Sequence, residues 1–160
     1  MNYGVDPAQL RELIVRPTLT QLGLYSDAAA SLVLGTAMHE SHLVSLKQIG
    51  GGPALGFWQM EPATHDDIWL NFLKYRTDIA ALVCRIAGDP KPSSMLLVGN
   101  MWYACAMARI QYRRVPAALP ANDPMELTKF WKEYYNTSLG AGSIEQALPH
   151  FSVSCSLTPR

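Results

Sequence analysis

The chain has 160 residues, 49% of them apolar, and its thirteen basic residues are balanced by thirteen acidic ones. That length and apolar content suffice for one packed core and exclude a disordered chain. Zero net charge argues against nucleic acid as the main partner, because phosphate binding needs a positive excess on one face.

The amino terminus, MNYGVDPAQL, has no basic segment leading into an apolar run, so no signal peptide is expected. Asp6-Pro7 reads as a cap and first-turn pair that opens a short helix to about Val15, ended before Pro17. Ser26, followed by Asp27 and small helix formers, opens a second helix that should end near His42. Leu43 to Leu55 is a loop with three consecutive glycines, where a small hairpin could form. Pro62 suits the start of the next helix, and a break near Thr77 divides the apolar pattern that follows. After a turn over Gly88 to Pro92, Ser93 or Ser94 caps a long helix from about Met95 to Arg114. That helix is apolar nearly all round and is the expected buried centre. Asp123-Pro124 opens a helix carrying Phe130, Trp131, Tyr134 and Tyr135, and Ser143 with Gln146 matches a capping box for a last short helix. The expectation is an all-α chain, one domain over residues 1–160, with at most a small β-hairpin. No stretch approaches the ~18 apolar residues of a membrane span.

Chemistry concentrates at the end of the second helix. At about 100° per residue, Ala29, Val33, Thr36, Ala37 and Glu40 fall on one apolar face. A carboxylate on a core-facing stripe is costly unless it has a partner or a task. Desolvation raises its pKa, which suits a general acid at neutral pH. Glu40-Ser41 is followed by Gly56-Phe57-Trp58-Gln59-Met60-Glu61-Pro62-Ala63-Thr64.

These residues resemble the lysozyme-like superfamily, in its soluble lytic transglycosylase and goose-type lysozyme branch. Members carry Glu-Ser at a helix end, a variable loop, and a Gly-Leu-Met-Gln-x-Met-Pro-Ala-Thr type block. The sequence GFWQMEPAT keeps the glycine, glutamine, proline, alanine and threonine in register. It departs at Phe57-Trp58, where smaller residues are usual, and at Glu61, where an apolar one is usual. The resemblance covers roughly Ala29 to Thr64. It implies a lysozyme-like helical fold, with Glu40 as the catalytic acid and Gln59 in the glycan groove. Ser41 would orient the glutamate or the local backbone. The family also places a Tyr-Asn-x-Gly tyrosine near the glutamate. Tyr135-Asn136-Thr137 has those residue types without the spacing, whereas Tyr112 has a more usual distance from Gln59 but lacks the asparagine. The tail half, with YRRVPAALP and FWKEYYNTSLGAGS, resembles phage-encoded members.

The implied function is cleavage of the β-1,4 bond between N-acetylmuramic acid and N-acetylglucosamine in peptidoglycan. It would proceed as a muramidase or a lytic transglycosylase, in phage-encoded lysis or wall penetration. The alternative is a virion structural or glycan-binding protein that keeps the fold with little turnover. No cofactor is expected, and a monomer is. Cys84, Cys105 and Cys155 are odd in number and read as reduced thiols, the first two buried in helices. The chain is therefore expected to be made in a host cytoplasm. It would reach the cell wall through lysis, a pore protein, or assembly into a virion.

Other residues have plainer readings. His39 and His42 are three apart, not the four of a zinc-protease helix, so a metal site is disfavoured. Asp66 and Asp67 read as helix decoration and Glu61 as a surface residue, so no second catalytic acid is assigned. Arg109, Arg113 and Arg114 read as a solvated helix end. Trp58 is assigned as a stacking face for sugars with the groove open to it, while the other aromatics read as core. Asn136-Thr137-Ser138 matches a glycosylation acceptor, irrelevant without a secretory route.

Overall fold

The computed structural model describes residues 1–136 and 140–157. Asp6 caps α1 (Pro7–Leu10) through a bond from Gln9 N to Oδ1. The chain does not stop before Pro17. A π-helical turn over Arg11–Val15 leads directly into α2 (Arg16–Gln21). Proline has no N–H to offer the carbonyl four residues back, and its ring crowds that carbonyl. The wider turn makes room for it, and Leu13 O accepts a hydrogen bond from Trp102 Nε1 instead, at 3.3 Å.

Ser26 caps α3 (Asp27–Ser41) by accepting from Ala29 N at 3.0 Å. The helix ends where His42 enters the left-handed region, at φ 51°. Every residue from Ala29 to Met38 is buried, so α3 is covered on all sides and not along a single stripe. Two apolar clusters enclose it. The larger joins α3 to α2, α5 and α7; the smaller gathers Leu32, Tyr112, Leu127, Phe130, Trp131, Ala147 and Phe151. Arg11, fully buried, ties three elements by donating to Ser31 Oγ and Ser154 O and by pairing with Asp27 at 3.5 Å.

Beyond the loop after α3 come α4 (Pro62–Asn71), a 3-10 turn over Leu73–Tyr75, and α5 (Thr77–Ala87), which places the break where the sequence expects it. The long helix expected over Met95 to Arg114 is divided into α6 (Leu96–Gly99) and α7 (Met101–Arg113). Asn100 is the cause: its backbone is extended and its Oδ1 accepts from Tyr103 N at 2.9 Å. Short polar side chains compete with the helix in this way and are favoured at caps. From Tyr103 to Tyr112, α7 is buried, as expected of a central helix, whereas Trp102 is half exposed.

Asp123 caps α8 (Pro124–Trp131), which continues into a second π-helical turn, Lys132–Asn136. Both halves of the Ser143–Gln146 capping box form, and α9 (Ile144–Ser156) runs thirteen residues, longer than the short helix expected. The protein is all-α; among the described residues the only β pairing is two isolated bridges, Lys47–Leu55 and Leu55–Met60. None of the described helices is long and apolar enough to cross a membrane.

The solvated-end reading of Arg109 is corrected. Its side chain is buried, with Nε donating to Leu24 O, and burial beside Arg113 pushes it down to about 10. Arg114 pairs with Asp67. All three cysteines are free thiols; Cys105 is buried, and Cys84 is only partly so.

Candidate active site

The end of α3 opens onto a cleft of about 600 Å³, within the range of ligand-binding pockets. Glu40, Ser41 and His42 form one part of its lining. The loop contributes Ser45, Gln48, Gln59 and, just before α4, Glu61; α4 contributes Thr64 and α7 Gln111. Tyr135, Asn136 and Gly140 form a further stretch of wall, with Ile49, Ala54 and Met60 also lining the cleft.

Glu40 is half-buried, and its Oε1 accepts a hydrogen bond from Trp131 Nε1 at 2.9 Å. Burial pushes the carboxyl up to about 7, and the indole N–H opposes part of that rise by favouring the anion. No cation is bonded to Glu40 among the described residues. The carboxyl is therefore poised between its two states near neutral pH, the condition in which one group can give and take a proton.

Gln59 is placed by a tight turn. Leu55 and Met60 exchange backbone hydrogen bonds, and Gln59 N donates to Gly56 O at 3.0 Å. Gln59 itself is left-handed, at φ 47°. Its Nε2 donates to Gly56 O at 2.8 Å and, more weakly, to Ser45 O at 3.4 Å. Only three non-glycine residues in the described chain have positive φ: His42, Leu43 and Gln59. Two of them line the cleft and the third adjoins it. Such conformations cost on the order of 1 kcal/mol each and persist where the surroundings impose them.

Ser41 acts on the backbone, not on the carboxyl. Its Oγ donates to Ala37 O at 3.1 Å and accepts from Leu43 N at 3.2 Å, which secures the left-handed exit from α3.

Trp58 is not a sugar platform. The ring is 1% exposed and belongs to the core, with Nε1 donating to Val33 O at 2.9 Å. The larger residue at this point of the motif anchors the Gln59 turn onto α3. Tyr135 secures the same turn from the other side, its hydroxyl donating to Trp58 O at 2.7 Å. Tyr112 is also withdrawn from the cleft: it is buried, and its hydroxyl bonds Thr36 Oγ1 at 2.7 Å. Neither tyrosine bonds Glu40, so the side-chain partner expected to be a tyrosine is Trp131.

Asn136 lines the cleft, with Oδ1 accepting from Lys132 Nζ at 2.7 Å. The same ammonium donates to Gly140 O and Gly142 O, which binds this stretch of wall to the end of α8. Thr137 and Ser138 of the Asn-Thr-Ser triplet lie outside the described residues.

Gln111 had no sequence signal pointing to it. It is 8% exposed, and its Oε1 is buried without a protein partner among the described residues. Its place on the apolar helix pattern reads as core. Glu61, read as a surface residue, is one that also borders the cleft. Asp66 and Asp67 are occupied elsewhere, by His65 at 2.8 Å and by Arg114 respectively. Among the described residues no group of three or more His, Cys, Asp or Glu is placed to hold a metal ion.

Compared with protein-family models, curated proteins and solved structures, the chain matches none.

Proposed function

We propose that the protein cleaves the β-1,4 glycosidic bond of peptidoglycan between N-acetylmuramic acid and N-acetylglucosamine, with Glu40 as its acid and base. The observation that carries this reading is a carboxyl raised to about 7 on the wall of a polar cleft shared with Gln59. A glycan strand lies in the cleft, and the protonated Glu40 donates to the leaving glycosidic oxygen as the C–O bond breaks. The resulting carboxylate then takes a proton from the incoming nucleophile, either water or the muramic acid's own 6-hydroxyl. Water gives a reducing end; the internal hydroxyl gives an anhydro sugar. Attack by the internal hydroxyl requires one base only, so that route needs no second carboxylate. The Gln59 side chain, held by its turn, and the Asn136 wall position the sugars.

A peptidoglycan turbidity assay tests the reading. Glu40→Gln is expected to lower the clearing rate by about a hundredfold or more, with helical circular dichroism and muropeptide binding retained. Clearing at the wild-type rate by Glu40→Gln refutes it. Wild-type protein that binds muropeptides without releasing any supports instead a virion or glycan-binding protein. Mass analysis of the released ends separates the two nucleophiles.

A further inference from the structure

Resting on that reading, we infer that Trp131 is the positioning residue of Glu40: its indole N–H holds Oε1 and leaves Oε2 to carry the transferable proton. The two residues are 91 apart in sequence and 2.9 Å apart in space. An indole is a donor only, so it can neither take the carboxyl's proton nor compete for it. When the carboxyl is neutral, its better acceptor is the carbonyl oxygen, and that is the oxygen the N–H selects. The tyrosines nearby cannot serve, since Tyr112 is engaged with Thr36 and Tyr135 with Trp58 O.

Trp131 is itself immobilised. It is fully buried, His39 stands edge-on to its ring at 4.6 Å between centroids, and Phe151 packs at 6.2 Å. A donor fixed in this way restricts Glu40 at the end of α3, where the helix is already giving way to left-handed backbone. Orientation of a reacting group within about an ångström is worth orders of magnitude in rate. The segment after α7, which carries no part of the Glu-Ser or GFWQMEPAT motif, thus contributes to the site by aiming the acid.

The test replaces the indole of Trp131 with benzothiophene, as benzothienylalanine, exchanging the N–H for sulfur at nearly constant shape. Loss of a donor to the anion raises the Glu40 pKa, so the basic limb of kcat/KM is expected to move up by about one pH unit. At pH 6, kcat is expected to fall about tenfold with KM within about twofold. An unmoved basic limb, or an effect confined to KM, overturns the assignment. A second measurement needs no substitution at Trp131. In wild-type protein the Trp131 indole N–H resonance is expected to titrate with a midpoint near pH 7, and in Glu40→Gln to be static. A static resonance in wild-type protein that cleaves peptidoglycan overturns the positioning role and leaves the cleavage reading standing. A titrating resonance in protein that turns over no glycan overturns the cleavage reading, and the positioning role falls with it.

Discussion

At Glu40 the fold and the proposed chemistry pull against each other. Its carboxyl loses a proton near 4.5 when unfolded and near 7 when folded. Between those values the folded protein holds the extra proton, so stability present below pH 4.5 is lost as the pH rises through 7. Glutamine at position 40 keeps an acceptor for Trp131 Nε1 and has no charge to desolvate. Glu40→Gln is therefore expected to be more stable than wild type at pH 8, by about 1–3 kcal/mol, and equal to it at pH 4. Urea midpoints at pH 4, 6 and 8 measure the gap. A gap of the same size at all three would mean that desolvation of the charge is not its source.

Among the elements, the turn over Leu55–Met60 decides where Gln59 goes. Gly56 has φ 72°, and a Cβ there would lie 2.2 Å from Leu97 O, a backbone atom that has little freedom to move. Gly88 has a similar φ of 68° with nothing within 4 Å. Gly88→Ala is thus expected to cost only the left-handed penalty of about 1 kcal/mol. Gly56→Ala is expected to cost on the order of 1–2 kcal/mol more and to weaken muropeptide binding, because the turn must shift. Equal losses in urea denaturation would remove the clash from the account. The same turn separates what is legible in the chain from what is not. The caps at Asp6, Ser26, Asp123 and Ser143 act over three or four residues, and all four stand where local chemistry puts them. Glu40 and Gln59 come together across a single loop with no helix between them. Pro17 misleads because its outcome depends on a distant partner, and Asn100 because its local cap on Tyr103 N is reinforced by one. Leu13 O finds Trp102, and Asn100 Nδ2 finds Ile86 O at 3.2 Å. Trp58, read as a platform, is a core anchor, and Trp131, read as core, is core with its N–H on Glu40. A tryptophan reads alike as anchor, platform or donor until the group that meets its N–H is known.

At the scale of the whole molecule, the site rests on a junction of the chain's two ends with α3. Tyr3 near the amino terminus bonds His150 of α9 at 2.9 Å, and Gly4 N donates to His42 O at 3.2 Å. The His150 ring lies 5.3 Å from that of His39 and 5.0 Å from that of His42. Burial pushes His39 and His150 down to about 4, with neighbouring histidines adding to the effect and, for His150, the amino-terminal charge as well. Their unfolded value is 6.5, so as the pH falls the unfolded chain takes up protons first. Stability present above 6.5 is lost toward pH 4, the opposite sense to Glu40. Acid therefore loosens the packing behind Trp131 while it protonates the carboxyl in front. His39 offers a clean probe, because its Nδ1 is buried without a protein partner among the described residues. Phenylalanine preserves an aromatic edge against Trp131 and removes both the orphaned nitrogen and the titration. His39→Phe is expected to gain about 1–3 kcal/mol over wild type at pH 5 and distinctly less at pH 8. Urea midpoints at the two pH values decide it. A gain independent of pH would trace the effect to packing and the unsatisfied nitrogen, and would separate the histidine junction from any acid sensitivity of the fold.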